Sequence, residues 1–502
     1  MGQAVVHPPE NERPIGFLGL MRNRNYALLW WGQLVSEMGN RFHWIAVSLW
    51  VFNLTGSASA VSLAISSMFA GSFVVGLWAG VLVDRLNRKA ILVTSDFVRA
   101  ILVALIPRLI HINITLVYVD LFFISIATAF FRPAIFGIIP AAVGRKDLMP
   151  ANSFFSAMDS GTEIFGPALA GVLAFVYGYA PLLYIDAATY VVSGLCALAM
   201  SVRAKPQGIE SEKVQTLSGG LVEGFRYIRR DRLQWGLFVL IFPAYLVGSG
   251  LNSLQTPLAR GEVGITDAQF GTFNSIWGVG YTAASLILGW FGASVRKSLI
   301  VLGGFFLQFI ATGLMSLSKS FEFLLITGFA VGFANTLNAV GLSTILMDHT
   351  PSGLIGRVAS TRQVGVGLVR IVSPLVFGAI ADQYGIRLSM LGMVIVGALG
   401  SALVVVSHPS ILTFDAGTRS SWREQLFVLV RPVIGQVNPE FDVMQQNWMS
   451  LLSLLIVFLG WLGLFYRSPV RALGVFSVIL ILALAGVAIH RRKWLQGGRG
   501  QT

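Results

Sequence analysis

Charge and cysteine are the scarcest features of this 502-residue chain. Only 12% of its residues are charged whereas 55% are hydrophobic, a composition far outside that of water-soluble domains. The single cysteine, Cys196, has no second cysteine with which to form an internal disulfide, so the sequence does not reveal the redox compartment. The shortage of charge excludes a soluble globular protein and predicts an integral membrane protein.

Histidine is also sparse, and its distribution argues against a metal or catalytic site. The six histidines are scattered, and no group of His, Asp and Glu has the spacing of metal ligands. No phosphate-binding loop is present, because the glycine pairs that come nearest to one lie inside apolar runs, where they indicate helix packing: Gly278 with Gly280, and Gly365 with Gly367. We therefore predict no enzyme activity, no metal and no cofactor, which leaves an ion gradient as the natural source of energy.

Acidic residues are fewer than basic ones, and the net charge is +13. In a soluble protein this excess would suggest nucleic-acid binding, but here the basic residues concentrate in short loops between apolar runs. That distribution is typical of the cytoplasmic loops of membrane proteins, so nucleic acid is not a predicted partner. The first 25 residues lack an apolar core, which argues against a cleavable signal.

Apolar runs long enough to cross a bilayer follow one another through most of the chain. A charged stretch separates a first set of six runs from a second set of six, and two further runs lie near the C-terminus. The predicted spans are 26–52, 58–83, 90–110, 115–140, 151–176 and 180–202, then 233–256, 267–292, 297–317, 321–347, 358–382 and 386–406, and finally 449–466 and 472–489.

The segments outside the bundles and the two extra spans are predicted to be cytoplasmic, and both termini are predicted to lie inside the cell. Trp422 to Val437 has apolar residues at helical spacing between arginines, which predicts a helix lying on the membrane surface. The predicted segments are 1–25 (N-terminal), 26–202 (first bundle), 203–232 (central loop), 233–406 (second bundle), 407–448 (with the surface helix), 449–489 (two extra spans) and 490–502 (tail).

The two sets of six spans repeat a motif at corresponding positions. The pattern Pro-x-x-x-Gly followed by Tyr-Gly occurs at 167–178 in span five and at 374–385 in span eleven. Such repeats are typical of transporters built from two related halves. Within the second copy, Gly378 and Asp382 are spaced as in the loop motif described next, but they fall on the external side. We interpret them as the end of span eleven.

The turn between spans two and three carries the most distinctive motif. Gly80, Asp84, Arg85 and Arg88 follow the pattern Gly-x-x-x-Asp-Arg-x-x-Arg where an apolar run ends. The glycine permits close approach of another helix, and the acid can accept from a helix N-terminus or an arginine across a domain interface. This turn resembles the loop between the second and third helices of major facilitator superfamily transporters.

Further stretches resemble the branch of that superfamily that includes macrolide-efflux and enterobactin-exporter proteins, over residues 20–406. They are Gly32 to Ser36, Leu54 to Ser57, Phe131 to Ala134, Leu148 to Asn152, Gly166 to Gly171, Glu223 to Ile228 and Gly356 to Val358. The resemblance implies an all-α polytopic membrane protein with the major facilitator fold of two six-helix bundles, here with two additional C-terminal transmembrane helices, and it implies export. Gly166 and Pro167 resemble the span-five motif of antiporters in the superfamily.

Ionisable residues inside the spans are candidates for function because burying charge in a membrane is costly. Glu37 and Glu163 both lie roughly 16–18 Å from the cytoplasmic boundary by helix counting, near the midplane where transporters hold substrate and coupling ion. Arg41 is one turn from Glu37, so an ion pair within one helix is the alternative to a cavity role. Of the two carboxylates we favour Glu163 as the proton carrier, because its own helix offers no base within one turn and adds the like charge of Asp159.

Other charged residues have predicted roles in gating or substrate contact. We expect Arg132 to pair with Asp159 between spans four and five. We expect Asp96 and Arg99 to join the charges of the loop motif, with interface snorkelling as the alternative. Arg370 in span eleven has no acidic partner in its own half, which indicates an anionic ligand, unless it bonds carbonyls freed at Pro374. Arg41 and Trp44 complete the predicted cavity, although aromatic belts explain most tryptophans.

Taken together, these features predict a secondary active transporter, and specifically a proton-coupled antiporter that exports a small amphiphilic molecule by alternating access. The alternatives are a transporter of a lipid or siderophore-like anion, and a non-transporting scaffold or sensor derived from a transporter. The predicted partners are a small-molecule substrate, protons and membrane lipids, with no prediction of oligomeric state. The predicted location is the bacterial inner membrane.

Overall fold

The computed structural model describes residues 17–144, 147–201, 217–292, 295–351 and 353–413. Nearly all of these residues are helical, and no strand occurs among them. The two predicted extra spans of segment 449–489, the tail 490–502 and all but the start of segment 407–448 lie outside the described residues, as does most of segment 1–25.

Each of the twelve spans predicted between residues 26 and 406 is present as a long helix. The first bundle comprises α1 (Phe17–Arg22), α2 (Arg24–Thr55), α3 (Ala58–Arg85), α4 (Arg88–Ile112), α5 (Ile114–Val143), α6 (Leu148–Tyr177) and α7 (Tyr179–Ala199). The second comprises α8 (Leu217–Arg230), α9 (Arg232–Thr256), α10 (Asp267–Phe291), α11 (Lys297–Ser316), α12 (Phe321–His349), α13 (Ile355–Tyr384), α14 (Ile386–Ser407) and α15 (Ser410–Thr413). A π-helical segment, Pro257–Glu262, extends α9.

The repeated Tyr-Gly motif forms the same tight turn in both bundles. Gly178 has φ 80° between α6 and α7, and Gly385 has φ 95° between α13 and α14. Residues with a side chain rarely adopt this left-handed backbone, so glycine lets each helix stop and the next one start at once. The sequence repeat therefore records a repeated structural requirement, which is to reverse the chain within one residue at the external surface.

Ten of the long helices are apolar enough along a bilayer-sized window to count as candidate membrane spans among the described residues. The other two are α2 and α10, whose windows are more polar. Helix α10 packs against α6 of the first bundle, and α2 borders the apolar groove beside α6. Polar side chains are tolerated there because those positions are shielded from lipid by other helices. Their composition is explained by that position.

The predicted central loop contains a helix that the sequence analysis missed. Helix α8 lies against the cytoplasmic ends of α12 and α13, where Glu223 forms an ion pair of 2.6 Å with Arg357. Its glycine Gly224 allows this approach, because a Cβ atom there would lie 2.5 Å from the Arg357 carbonyl oxygen. The Tyr227 hydroxyl donates a hydrogen bond of 2.7 Å to the His349 carbonyl. The charged stretch is therefore partly folded onto the second bundle.

The most extensive contacts between the two bundles are those of α6 with α10 and of α3 with α13, and α3 also contacts α9. In the first pair the contacts run from Gly171, beside Gly271, down to Glu163, beside Gly278. In the second pair, a Cβ atom on Gly367 would lie 2.5 Å from the Phe73 Cδ2 atom. All of these contacts lie in the external or middle part of the helices.

Toward the cytoplasmic side the same helices separate. Apart from the local helix backbone, no atom lies within 4 Å of a Cβ placed on Gly76, Gly161 or Gly289. The side chains of Trp78 on α3 and Trp290 on α10 are 62% and 60% exposed. From these observations we interpret the arrangement as closed on the external side and open toward the cytoplasm.

The external closure includes an acid that crosses between the bundles. The carboxylate of Asp382, at the end of α13, accepts hydrogen bonds from the Ala58 amide at 2.7 Å, the Ser59 amide at 3.0 Å and the Ser57 hydroxyl at 2.7 Å. It therefore caps the N-terminus of α3, a position that favours a negative charge. The interpretation of Asp382 as merely the end of a span overlooked this contact.

Replacing Asp382 by Ala should shift the protein toward an outward-open form. The variant loses an acceptor that only the closed external face supplies, and loss of such a cap costs about 0.5–2 kcal/mol, or roughly 2- to 30-fold in the equilibrium. Spin labels at Ile112 and Lys319, which lie at the external ends of the two bundles, would report a longer distance population once Cys196 is replaced by Ala.

The matched control for this prediction is Glu262→Gln. Glu262 is an external acid whose partner, Arg387 at 3.2 Å, lies in its own bundle, so the label distances should not change. Equal distance distributions for Asp382→Ala and the parent protein would contradict the role of Asp382 as a latch between the bundles.

Candidate functional site

An apolar cavity of about 300 Å³ lies between α2 and α6, the two helices that carry the predicted midplane carboxylates. Aromatic residues and methionines dominate its lining, and such side chains adapt to ligands of varied shape. The lining residues are Trp30, Leu34, Met38, Phe154, Ala157, Met158, Gly161, Thr162 and Phe165. This groove suits the apolar part of an amphiphile.

At the end of this groove an ion pair joins the two helices. The Arg41 Nη2 atom lies 2.6 Å from the Glu163 Oε2 atom, and both side chains are about 30% exposed. Gly166 makes room for the pair, because a Cβ atom on it would lie 2.6 Å from the Arg41 Cγ atom. The glycine of the antiporter-like motif thus accommodates the arginine stem, and the following residue, Pro167, lies buried within α6.

Glu163 also lies at a close contact between the bundles. A Cβ atom on Gly278 of α10 would lie 2.9 Å from the Glu163 carbonyl oxygen. Across the junction, Tyr281 interacts electrostatically with both Glu163 and Arg41. A change of charge at Glu163 therefore alters electrostatic interactions in both bundles.

The structure replaces two predicted pairings. Arg41 has Glu163 as its ion-pair partner rather than Glu37, the neighbour one turn away on the same helix. The expected pair of Arg132 with Asp159 is not formed as a direct contact. Asp159 lies within electrostatic range of Glu37, Arg41, Arg132 and Glu163. In the described part of the chain it forms no ion pair with either arginine. Helix crossing brings Arg41 closer to α6 than the i,i+4 geometry brings it to Glu37.

Asp96 and Arg99 pair with each other at 2.5 Å deep within the first bundle, and both are almost completely buried. Their expected contact with the loop motif stays a prediction, because the side chains of Asp84 and Arg85 lie outside the described part of the structure. The Arg99 guanidinium lies between two rings, 4.0 Å from the Phe131 centroid and 4.3 Å from the Tyr190 centroid. Buried charge is retained where pairing and ring contacts compensate it, so this pair holds α4, α5 and α7 together.

The sequence analysis missed a second polar cluster inside the first bundle. His43 Nδ1 lies 3.3 Å from the Asp186 Oδ2 atom, and Asp120 is close enough to interact electrostatically with His43. All three residues are buried. Their presence within apolar runs was the available signal, because ionisable residues there are expensive and require partners.

The residues of the loop motif are only partly described. Gly80, Asp84 and Arg85 belong to the last turns of α3, but their side chains lie outside the described part of the structure. Arg88 opens α4 and donates a hydrogen bond of 3.1 Å from its Nη1 atom to the Gly137 carbonyl of α5. The role of the first three residues therefore stays a prediction.

In the second bundle, the Arg370 guanidinium carbon lies 5.5 Å from the Phe69 ring centroid of α3 and 5.4 Å from the Tyr245 ring centroid of α9. It thus stands at the junction of the bundles, and no acidic partner occurs among the described residues. Trp44 is half-buried on α2, three residues beyond Arg41. Arg362, two turns before Arg370 on α13, was not predicted as a site residue.

Two helical bundles around a cavity open to one side, with charged residues at its centre, define a membrane transporter. The family model of the Major Facilitator Superfamily matches residues 29–258 and 237–490. The chain belongs to this superfamily, and it is a multi-pass membrane transporter rather than an enzyme. This confirms the resemblance, the fold class and the location in a membrane that the sequence predicted.

Relatives of this chain include exporters from different bacteria. The chain is 26% identical over 379 residues to Macrolide efflux protein A of Streptococcus pyogenes, which covers 72% of this chain and 90% of the relative. It is 25% identical over 321 residues to the Enterobactin exporter EntS of Citrobacter koseri, which covers 62% and 75%, respectively. Bacterial relatives of this kind agree with an inner-membrane location.

Solved structures share the fold at low sequence identity. A bacterial homologue of the human lysosomal transporter Spinster, inward-facing and unoccupied, matches with a TM-score of 0.65 and 15% identity, over 78% of this chain and 98% of that one. The nucleoside transporter NupG matches with a TM-score of 0.64 and 13% identity, over 76% and 98%. These likenesses support the fold alone.

Proposed function

We propose that this transporter is a proton-coupled exporter of a small amphiphilic molecule, and that Glu163 is the proton carrier. The observation that carries the proposal is the position of the Arg41–Glu163 pair. It lies at the end of an apolar groove and beside a close contact between the bundles. A group at this point can respond to substrate in the cavity and to the arrangement of the two bundles.

The ion pair supplies a simple means of coupling. It needs the ionised form of Glu163, so binding of a proton breaks the pair and releases Arg41 into the cavity. The described state opens to the cytoplasm with the pair formed, as expected after a proton has left for that side. If proton and substrate disfavour each other at this site, their alternate occupancy produces antiport.

The groove and the relatives together support the substrate class and the direction. Its lining is apolar and aromatic, which suits a hydrophobic body, while charged residues at its end suit a polar group. Two relatives are named as a macrolide efflux protein and an enterobactin exporter. These observations favour outward movement of an amphiphile. The Arg41–Glu163 ion pair beside the groove argues against a scaffold that does not transport.

A test uses the full chain in proteoliposomes with an acidic lumen and a pH-sensitive dye inside. Decyl phosphate, decyltrimethylammonium and decyl maltoside share a tail and differ in headgroup. We expect at least one of them to accelerate alkalinisation of the lumen relative to protein-free vesicles, because inward movement of substrate should be exchanged for protons. Binding of a probe without any proton movement, for all three headgroups, would favour the scaffold or sensor alternative.

A further inference from the structure

The interior of the second bundle contains charge of one sign only. Away from the first and last turns of α9 to α14, the charged residues are Arg362 and Arg370, both on α13. The first bundle differs, because its midplane carries Glu37, Asp159 and Glu163 together with basic residues. The cavity is therefore bordered by a mixed face on one side and by a purely basic face on the other.

Arg362 is buried without compensation. Arg362 is only 7% exposed, and its Nε and Nη2 atoms make no hydrogen bond among the described residues. A buried guanidinium without a partner is strongly unfavourable, since it loses water and gains no anion in return. Such a group is retained where a ligand supplies the missing acceptor, and an arginine fork matches the oxygens of a carboxylate or phosphate.

Tyr245 connects the two arginines. Its ring lies 5.4 Å from the Arg370 guanidinium, and Tyr245 also interacts electrostatically with Arg362. The two arginines are eight residues apart, which corresponds to about 12 Å along the helix axis. Long side chains from these positions can converge on one anion that lies beside Tyr245.

We propose that Arg362, Arg370 and Tyr245 bind the acidic headgroup, a carboxylate or phosphate, of the exported amphiphile. The proposal rests on the function proposed above and names its substrate class. Arg362 lies two turns nearer the cytoplasmic opening, whereas Arg370 reaches Phe69 of the other bundle. An anion arriving from the cytoplasm meets Arg362 first, and contact with Arg370 then places it at the junction of the bundles.

Binding of an acidic headgroup would make the proposed exchange electrogenic. Export of an anion and import of a proton both move positive charge inward. A membrane potential that is negative inside therefore drives both movements, and the exchange is electrogenic. An exporter of a cation in exchange for one proton would be electroneutral instead.

Equilibrium binding to purified full-length protein in nanodiscs tests the proposal with four probes. These are decyl phosphate, decyltrimethylammonium, decyl maltoside and inorganic phosphate. We expect Arg362→Gln to weaken decyl phosphate binding at least tenfold and to leave the cationic and neutral probes within twofold. Arg362→Lys keeps the charge but loses the planar fork, so its affinity for decyl phosphate should lie between those of the parent protein and Arg362→Gln. Inorganic phosphate should bind much more weakly than decyl phosphate, because it lacks the tail.

The thermal stability of the ligand-free variant separates binding from structure. Removal of an uncompensated buried charge should leave the melting temperature of Arg362→Gln unchanged or higher. A purely structural arginine would lower it. The matched control is Arg357→Gln on the same helix, whose side chain pairs with Glu223 at the cytoplasmic surface and should not affect probe binding.

The outcomes distinguish this proposal from the proposed function. Two results would overturn the proposed acidic-headgroup site even if proton-driven transport is intact. One is an unchanged affinity of Arg362→Gln for decyl phosphate. The other is stronger binding of decyltrimethylammonium than of decyl phosphate to the parent protein. Equal affinity for inorganic and decyl phosphate indicates a free-anion site and also overturns it. Loss of proton movement with intact, Arg362-dependent decyl phosphate binding contradicts the proposed coupling while the headgroup site stands.

Discussion

Proton-driven accumulation in proteoliposomes is expected to disappear in Glu163→Gln, while probe binding and substrate exchange without a gradient persist. Glutamine has nearly the shape of a protonated glutamate, so it should hold the transporter permanently in the state in which Arg41 is released. The carrier then has no site that loses a proton to the cytoplasm. The fall should be complete within the error of the assay, because the coupled step is removed and not merely slowed.

The matched control is Glu37→Gln, which removes the same charge at a similar depth from the facing helix. Glu37 has no ion-pair partner among the described residues, so its loss should alter affinity or stability but leave a measurable response to the gradient. Undiminished accumulation in Glu163→Gln would reject the assignment. Loss of accumulation only in Glu37→Gln would assign the role of proton carrier to Glu37. Loss in neither variant would make the buried pair of His43 and Asp186 the next candidate for that role.

A second large effect is expected from Gly171→Leu, which should prevent closure of the external side. A Cβ atom on Gly171 would lie 2.6 Å from the Asp267 carbonyl oxygen and 2.7 Å from the Gly271 Cα atom. These are backbone atoms that cannot move aside without separating α6 from α10. The variant should therefore be trapped with its external side open, and transport should cease.

Spin labels at Ile112 and Lys319 report this change directly, in the same Cys196→Ala background as before. Gly171→Leu should replace most of the short-distance population by a longer one. Gly161→Leu is the matched control on the same helix, because a Cβ atom there meets nothing within 4 Å and the external distance should stay as in the parent. A folded Gly171→Leu protein that transports normally would contradict the close contact of α6 with α10 as an obligatory step.

These predictions involve different parts of one cycle. Gly171 and Asp382 concern the external closure, Glu163 concerns the charge that is exchanged, and Arg362 concerns the ligand. Because the residues are far apart in the chain and serve separate steps, their effects can be measured independently in one reconstituted preparation. Shifts in label distance without loss of binding, and loss of binding without shifts in distance, are the two patterns that separate closure from recognition.

Much of the candidate site could be predicted by counting along helices. Counting places Glu37 and Glu163 at one depth because an α-helix rises by a constant amount per residue, and in the structure both lie within electrostatic range of Asp159. Counting does not reveal how helices cross. The partner of Arg41 and the mutual pairing of Asp96 with Arg99 depended on which faces meet.

The sequence by itself determined that this is a membrane protein of two similar helical bundles, since apolar length, loop charge and a repeated Pro-Gly-Tyr-Gly pattern are local properties of the chain. Only the tertiary structure decided that Asp382 caps α3 of the other bundle, that Gly166 accommodates Arg41, and that Arg362 is buried without an anion. The physical reason is the same in each case: these contacts join residues far apart in the chain, so their geometry is set by packing between helices.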